Sequence, residues 1–556
     1  MRRGSAWRWA AIAGVVAVGV AGASRLAWVC DDAFISYRYA RNLANGLGLV
    51  YNAGERVEGY SNFLWTLLLA GAAWLNADPV WISQALGIAA FAATLGLLAW
   101  TSGRLTRARA IARVPLAAAL LALHYHALEF ATGGLETALF AWLVTAVTVS
   151  AIAAKTPLAH ARTTALAVLA ALCRPDGALL LAVAAVPPLL DAIAKRSVRG
   201  LVYAALPVVF VYLPYLGWKL AYYGDLLPNT FYAKAAGVAT YSRGLAYLAS
   251  YFAKYPWLAL GIAGPAAVLA FARGSARAPA YLLAVCALYL WFVARVGGDF
   301  MFARFCIPVT ALLCLGIELS VCRIHHARLR GAAAVVVVLA ALVSFALAHQ
   351  APPGDPASGV VEERAFYPAD TVRAAAALGA QIRTATAGIP VRVAIYGSQA
   401  MLAYYADLPW VLEAHAGLTD PEIARTPLHE RGRAGHERSA TLVDLRRREV
   451  DLVFDFGLFH PAAAPWKQVS IGDARAVFVT YRREIADALR ARDGVAFVDF
   501  PAFLDDYLAR ADQLPDETVR RDLAEFSAFY LDHNRDPERD RAAAARSFGG
   551  APAPAY

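Results

Sequence analysis

The sequence predicts a polytopic α-helical membrane protein with about 11 bilayer-crossing helices, followed by a C-terminal extracytoplasmic α/β domain. Three observations predict it. Hydrophobic residues make up 59% of the 556 positions, and mean hydropathy is +0.47. The apolar residues gather in residues 1–350 as repeated runs of roughly 15–22, the length that spans a hydrocarbon core. Charge divides at the same place. Residues 1–350 hold 28 basic and 12 acidic residues, and residues 351–556 hold 24 and 30. The expected organisation is therefore a transmembrane domain over 1–350 and a periplasmic α/β domain over 351–556.

The basic excess belongs to the membrane half, so topology explains the net charge of +10 and the pI near 9.3. No nucleic-acid partner is indicated. The six cysteines are Cys30, Cys173, Cys286, Cys306, Cys314 and Cys322. They form no C-x-x-C pair and read as small apolar residues in helices, not as a disulfide or zinc framework.

In chain order, Arg2, Arg3 and Arg8 precede the first apolar run. It is expected to be retained as a helix that leaves the cytoplasm, since many more apolar segments follow. Residues 63–76 are short for a span and suit the interface. Residues 79–101 return to a cluster of Arg104, Arg107, Arg109 and Arg113. Further spans are expected over 114–130, 135–154, 163–173, 177–194, 200–221, 256–272, 279–296, 305–322 and 331–349. Each predicted inner loop carries Lys or Arg. Of the membrane-half acids, only Asp191 and Glu318 fall away from the outer side. That partition places the N-terminus in the cytoplasm of a bacterial inner membrane and residues 351–556 outside.

The C-terminal part opens with Pro352, Pro353 and Pro356, which suit a linker. Helices are expected over 371–384 and 398–406, and strands over 391–396, 450–454 and 476–481. The tail after about residue 532 is charged, then rich in Ala, Gly and Pro, a composition that suits partial disorder.

Five outer segments carry the candidate chemistry. The first runs over residues 31–62 as DDAFISYRYARNLANGLGLVYNAGERVEGYSN. The second is EFATGGLE over 129–136, and the third RPDG over 174–177. The fourth is YYGDLLPNTFYAK over 222–234, and the fifth GGDFMFARF over 297–305. Carboxylates where a membrane helix leaves the bilayer are costly and point to function. Asp31 and Asp32 stand at such a place, and either could act as a base toward an acceptor hydroxyl. Arg38, Arg41, Arg174, Lys234 and Arg304 are the candidate cations for a phosphate leaving group. Tyr37, Glu58, Tyr60, Asn62, Glu136, Asp176, Tyr223, Asp225, Asn229, Tyr232, Asp299 and His436 are candidate substrate contacts. This mixture of acids, cations and aromatics suits transfer of a group from a lipid-phosphate anchor to a polar acceptor.

Structural readings compete at several positions. Asp32 could cap a helix from Ala33. Glu136 could be a solvated helix-start charge, and Arg174 with Asp176 a turn-bound ion pair. The Gly-Asp pairs at 224–225 and 298–299 could be turn chemistry. His124 and His126 show no metal-ligand partner pattern, His325 and His326 read as solvated, and no metal site is expected. In the C-terminal part, GLTDPEIA over 417–424 reads as a capped helix start or as a loop that helps hold an acceptor glycan. A transporter or scaffold is the non-enzyme alternative. A transporter would be expected to show inverted repeats or midplane charges.

Taken together, DDAFISYRYARNL, EGYSNFLW, GLETALF, RPDG, YYGDLLPNTFYAK and GGDFMFARF resemble AftB-like bacterial membrane arabinofuranosyltransferases, within the C-type, polyprenyl-phosphate-sugar-dependent glycosyltransferases. The resemblance runs from about residue 31 to His436 and includes GLTDPEIA and GHE. It implies a C-type fold and a polyprenyl-phosphate-linked donor, usually arabinofuranose. It also implies a cell-envelope glycan acceptor and inversion at the anomeric carbon without a metal cofactor. Asp31 or Asp32 occupies the position of the first-loop base. A divalent cation on that carboxylate pair stays open, although spacing offers no third ligand. Another polyprenyl-phosphate sugar, or a protein or lipid acceptor, is the alternative within the same fold. Glu413 and His415, in LEAHAGLTD, stand where the resemblance leads one to expect a more apolar stretch.

Overall fold

The computed structural model describes residues 2–105, 115–234, 239–271, 276–350, 354–355, 359–397, 399–428, 435, 437–455 and 464–547. The chain forms two compact units. One comprises residues 1–50, 58–369 and 430–437, and the other residues 51–57, 370–429 and 438–556.

The first unit is helical. It contains α1 (Arg2–Arg25), α2 (Asp31–Ala44), α3 (Phe63–Trp74), α4 (Pro79–Leu105), α5 (Leu116–Ala122), α6 (Tyr125–Glu129), α7 (Thr137–Ala153), α8 (Pro157–Cys173) and α9 (Leu179–Lys195). Then come α10 (Arg199–Pro207), α11 (Leu213–Tyr223), α12 (Asn229–Ala233), α13 (Tyr241–Lys254), α14 (Leu260–Phe271), α15 (Arg277–Val296), α16 (Ile307–Val321) and α17 (Ala327–His349). Among the described residues, five helices are long and apolar enough to cross a membrane, six if the bent α13–α14 pair is one span. The remaining apolar helices are shorter, and α7 and α16 are buried along most of their length. The chain is thus built as a multi-pass membrane protein.

Breaks in the helices have local causes. α10 runs into α11 through a π-turn at Val208–Tyr212, between Pro207 and Pro214, residues without the N–H that the α-ladder needs. α13 and the segment Pro256–Phe271 meet at 108°, at the residue before Pro256, a position biased away from helix. The single span expected over 114–130 is corrected to two short helices. His124 takes extended backbone angles, and its Nδ1 accepts the N–H of Ala127. Its other nitrogen meets the Tyr251 hydroxyl at 3.0 Å, and its ring stacks on Tyr255. These polar contacts hold the break open. The segment expected over 163–173 is a full helix from Pro157, capped by Thr156.

A short pair, β1 (Gly354–Asp355) and β2 (Val360–Val361), follows α17. β2 also bonds to the loop before α16, Phe302 donating to the Val361 carbonyl and Val361 to that of Phe300.

The second unit holds a six-stranded sheet made of β3 (Arg392–Tyr396), β4 (Trp410–Glu413), β5 (Leu452–Asp455), β6 (Gln468–Ile471), β7 (Ala474–Phe478) and β8 (Val495–Phe497). Its order is β4-β3-β5-β7-β6-β8, parallel across the first three strands and antiparallel thereafter. Asn52 closes the β4 edge. Its amide donates to the Val411 carbonyl and accepts from the Val411 N–H, at 2.9 and 3.0 Å. The expected strands at 391–396, 450–454 and 476–481 correspond to β3, β5 and β7. Beyond residue 532 the tail includes a helix at Pro537–Ser547. Residues 548–556, and Ser398 at the start of an expected helix, lie outside the described residues.

Candidate active site

The first outer segment is built on α2. Cys30 precedes it in extended conformation and donates its N–H to the Gly133 carbonyl. Asp31 and Asp32 are the first two helical residues, where carboxylates favour the dipole. The helix therefore begins before Asp32, and no Asp32 side-chain cap on Ala33 forms; the N-cap residue is Cys30. Asp31 is buried and Asp32 half-buried. Arg38 lies two turns on from Asp31, on the same helical face, with Arg41 three residues further.

A buried polar chain lies beside this helix. Ser36 donates to Asn62 Oδ1 at 3.1 Å, and Asn62 Nδ2 donates to Glu136 Oε2 at 2.9 Å. Glu136 Oε1 accepts from Arg174 Nη1 at 3.0 Å and lies 3.6 Å from Arg304 Nη2. Arg174 forks onto Asp176, which also accepts the Tyr289 hydroxyl at 2.7 Å. Arg304 reaches Asp299 at 3.4 Å. The charge of Asp32 acts on Arg304, and both act on Cys30. So Asp32, Asn62, Glu136, Arg174, Asp176, Asp299 and Arg304 belong to one neighbourhood. Glu136 is a buried hub, not a solvated charge.

Arg304 is incompletely satisfied within it. Its Nε is buried and donates to none of the described residues, while its other contacts are long. Lys234, at the end of α12, is half-buried, and among the described residues its amine has no hydrogen bond or ion pair. A Cβ added at Gly435 would meet both Lys234 and Phe300, which places this lysine beside the loop of Asp299.

A second cluster gathers the aromatic candidates. Glu58 forms a 2.8 Å ion pair with Lys219, both buried, and its carbonyl accepts the N–H of Asn229. Burial pushes the Glu58 carboxyl up to about 7, against the opposing charge and hydrogen bond of Lys219. Tyr60 and Tyr223 share a 3.2 Å hydroxyl contact, and Tyr223 donates to the Leu49 carbonyl. Asp225 accepts the Tyr232 hydroxyl and the Leu227 N–H, a turn that orients the α12 start. The Tyr37 hydroxyl bonds to Ser83 at 2.6 Å and lies against Gly134, in the segment that ends at Glu136. His436 lies outside the described residues, between Gly435 and a Glu437 that pairs with Arg243.

Sequence reasoning missed Lys219 and Tyr289. Lys219 had a signal, a lone charge in an apolar helix; Tyr289 had none. It also found no partner pattern at His126. The structure brings His126 Nε2 to 2.8 Å from Glu362 Oε2, with Glu129 alongside, a set of groups that could hold a metal. The signal was H-x-x-E at 126–129, which puts both side chains on one helical face; Glu362 comes from over 200 residues away. The solvated reading of His325 and His326 agrees with their exposure. In the second unit, Glu413 accepts the N–H groups of His415, Ala416 and Leu418, and Asp420 caps Pro421–Arg425 through Glu422 and Ile423. Both acids thus have structural work.

The fold is that of a C-type glycosyltransferase. It is similar to ArnT from Cupriavidus metallidurans bound to undecaprenyl phosphate, with a TM-score of 0.54 at 13% identity, covering 85% of this chain and 98% of that one. The apo state of the same protein gives 0.50 at 12% identity. In sequence the chain is similar to two terminal β-(1→2)-arabinofuranosyltransferases. The one from Corynebacterium glutamicum is 33% identical over 327 residues, covering 51% of this chain and 47% of the relative. The one from Mycobacterium tuberculosis is 29% identical over 348 residues, covering 55% and 54%. The chain spans about half the length of the curated relatives it matches. No family model matches it. The arabinofuranosyltransferase resemblance read from the motifs is the one these relatives carry.

Proposed function

We propose that the chain is an inverting membrane glycosyltransferase. It takes arabinofuranose from a polyprenyl-phosphate donor and passes it to an extracytoplasmic cell-envelope glycan. An acceptor hydroxyl gives its proton to Asp31 or Asp32 as its oxygen bonds to the anomeric carbon. The bond from that carbon to the phosphate oxygen breaks on the opposite face, and the lipid phosphate leaves with the electron pair. Among the described residues, Arg304 Nε and the Lys234 amine have capacity to receive it; Arg38 and Arg41, along α2, are the further candidate cations. Arg174, engaged by Glu136 and Asp176, holds the hub against which Arg304 is set. Glu58, Tyr60, Tyr223, Asn229 and Tyr232 form the wall for sugar or acceptor.

The observation that supports this reading most is a buried, incompletely satisfied Arg304, set by Glu136 and Asp299 and within electrostatic reach of Asp32 at the start of α2. A base and a phosphate receptor are both needed there. The topology that goes with it has a cytoplasmic N-terminus and residues 351–556 outside an inner membrane.

The test is transfer by the purified chain in nanodiscs, offered labelled polyprenyl-phosphoryl-arabinofuranose or a hexose lipid, with an arabinan oligosaccharide acceptor. Arabinofuranose transfer with inverted configuration is expected. Transfer from the hexose lipid alone would replace the sugar assignment and keep the fold reading. Absence of transfer from either would overturn the proposal.

A further inference from the structure

We propose that His126, Glu129 and Glu362 form a binding site for one divalent transition-metal ion, Zn²⁺ foremost. One ring nitrogen and two carboxylate oxygens lie within 4.8 Å of one another, drawn from α6 and from the segment after β2. One imidazole with two carboxylates is a three-ligand set of the kind zinc takes with a fourth position open. The imidazole favours zinc or another first-row transition metal over calcium or magnesium, which prefer all-oxygen shells.

The site has a built second layer. His126 Nδ1 meets the Tyr255 hydroxyl at 2.5 Å, which fixes the ring and turns Nε2 toward Glu362. Lys254 holds Glu362 Oε1 at 2.5 Å, leaving Oε2 as the oxygen that faces His126. Both residues sit at the α13–α14 bend, so the bend supplies the support. Metal ligands need such orientation from a second layer. The ion would take the place of the proton that His126 Nε2 and Glu362 Oε2 share.

Glu129 is the observation that a proton-sharing pair leaves unexplained. It is 2% exposed, its carboxylate makes no hydrogen bond among the described residues, and it is directed at the pair. A buried carboxylate without a donor is costly, and a cation between Glu129, Glu362 and His126 removes that cost. The position suits a structural ion. The Glu129 carbonyl accepts the indole N–H of Trp28, just ahead of Asp31, and the β2 strand before Glu362 pairs with residues 300–302, just ahead of Arg304.

The test is metal content of the full chain, purified without a histidine tag, stripped with chelator, then equilibrated with Zn²⁺ and dialysed. About one ion per chain is expected, with a rise in melting temperature on adding Zn²⁺. The near-isosteric variants Glu129→Gln and Glu362→Gln should each weaken retention by about 10-fold or more, and Tyr255→Phe by roughly 10–100-fold. A double His325→Ala, His326→Ala variant should retain the ion. Lack of retained zinc in folded wild type, or undiminished retention in both Gln variants, would overturn the proposal. Should the variants fail to fold, X-ray absorption of the wild type decides. A nitrogen and oxygen shell with one imidazole supports the site, and a sulfur shell at about 2.3 Å contradicts it.

Discussion

Arg174 meets Glu136 with Nη1 3.0 Å from Oε1, and both side chains are buried. The same carboxylate takes Asn62 on its other oxygen and leans toward Arg304. Removing one partner of such a pair strands a charge away from water, which costs about 3–5 kcal/mol. Glu136→Gln should therefore destabilise the chain by that amount, read by denaturant titration in mixed micelles. Arg174→Lys should cost nearly as much, because an ammonium cannot reproduce the fork onto Asp176. A shift within about 0.5 kcal/mol for both, as for an ordinary surface site, would show that the hub is not structural.

Lys234 is expected to behave in the opposite way. No described group pairs with its amine, so Lys234→Ala should leave the melting temperature nearly unchanged. If the amine receives the donor phosphate, a charge-assisted hydrogen bond of about 1.5–3 kcal/mol disappears. Donor kcat/KM should then fall by roughly 10–100-fold. Unchanged kinetics would remove Lys234 from the donor site.

Glu58 sets a pH dependence. Its carboxyl is raised from 4.5 to about 7 in the folded chain. Folding therefore favours the protonated form, and the stability tied to it is fully present below pH about 4.5 and lost as pH rises through about 7. Glu58→Gln lacks this titration. Melting curves in detergent should show wild type losing stability relative to Glu58→Gln between those pH values, and a pH-independent difference would contradict the assignment.

Gly134 explains why the second segment needs its paired glycines. Its φ is +84°, and a Cβ there would lie 2.6 Å from the Tyr37 hydroxyl and 2.7 Å from the Ala33 Cβ. Gly134→Ala should push on α2 and destabilise by about 1–3 kcal/mol. Gly71→Ala, in α3 with open space around it, is the control and should be near neutral or slightly stabilising. Equal effects from the two would show that the close approach to α2 carries no energy.

Much of the helical unit was legible because a membrane helix declares itself by length and hydropathy, both local properties. The α5–α6 break was not, because His124 and its partners Tyr251 and Tyr255 are separated by more than 120 residues. Strands β3, β5 and β7 showed as apolar runs. β4, four residues buried on both faces, has no alternation to read. Asp31, Asp32, Glu136, Arg174 and Arg304 drew notice as charges at helix ends in an apolar half, a cost that needs a reason. Their mutual arrangement was not readable, since Glu136 and Arg304 lie on segments far apart in the chain. Glu362 escaped because it follows a proline-bearing stretch that reads as linker, and only its contacts with His126 and Lys254 reveal it.

The measurement that bears most directly on the central claim is transfer from labelled polyprenyl-phosphoryl-arabinofuranose by Asp31→Asn and Asp32→Asn beside wild type, with donor binding and melting temperature recorded for each. A carboxylate base predicts loss of about 10²–10⁴-fold in turnover for one of the two variants, with donor binding and folding retained. Wild-type turnover in both would contradict an aspartate base at the start of α2.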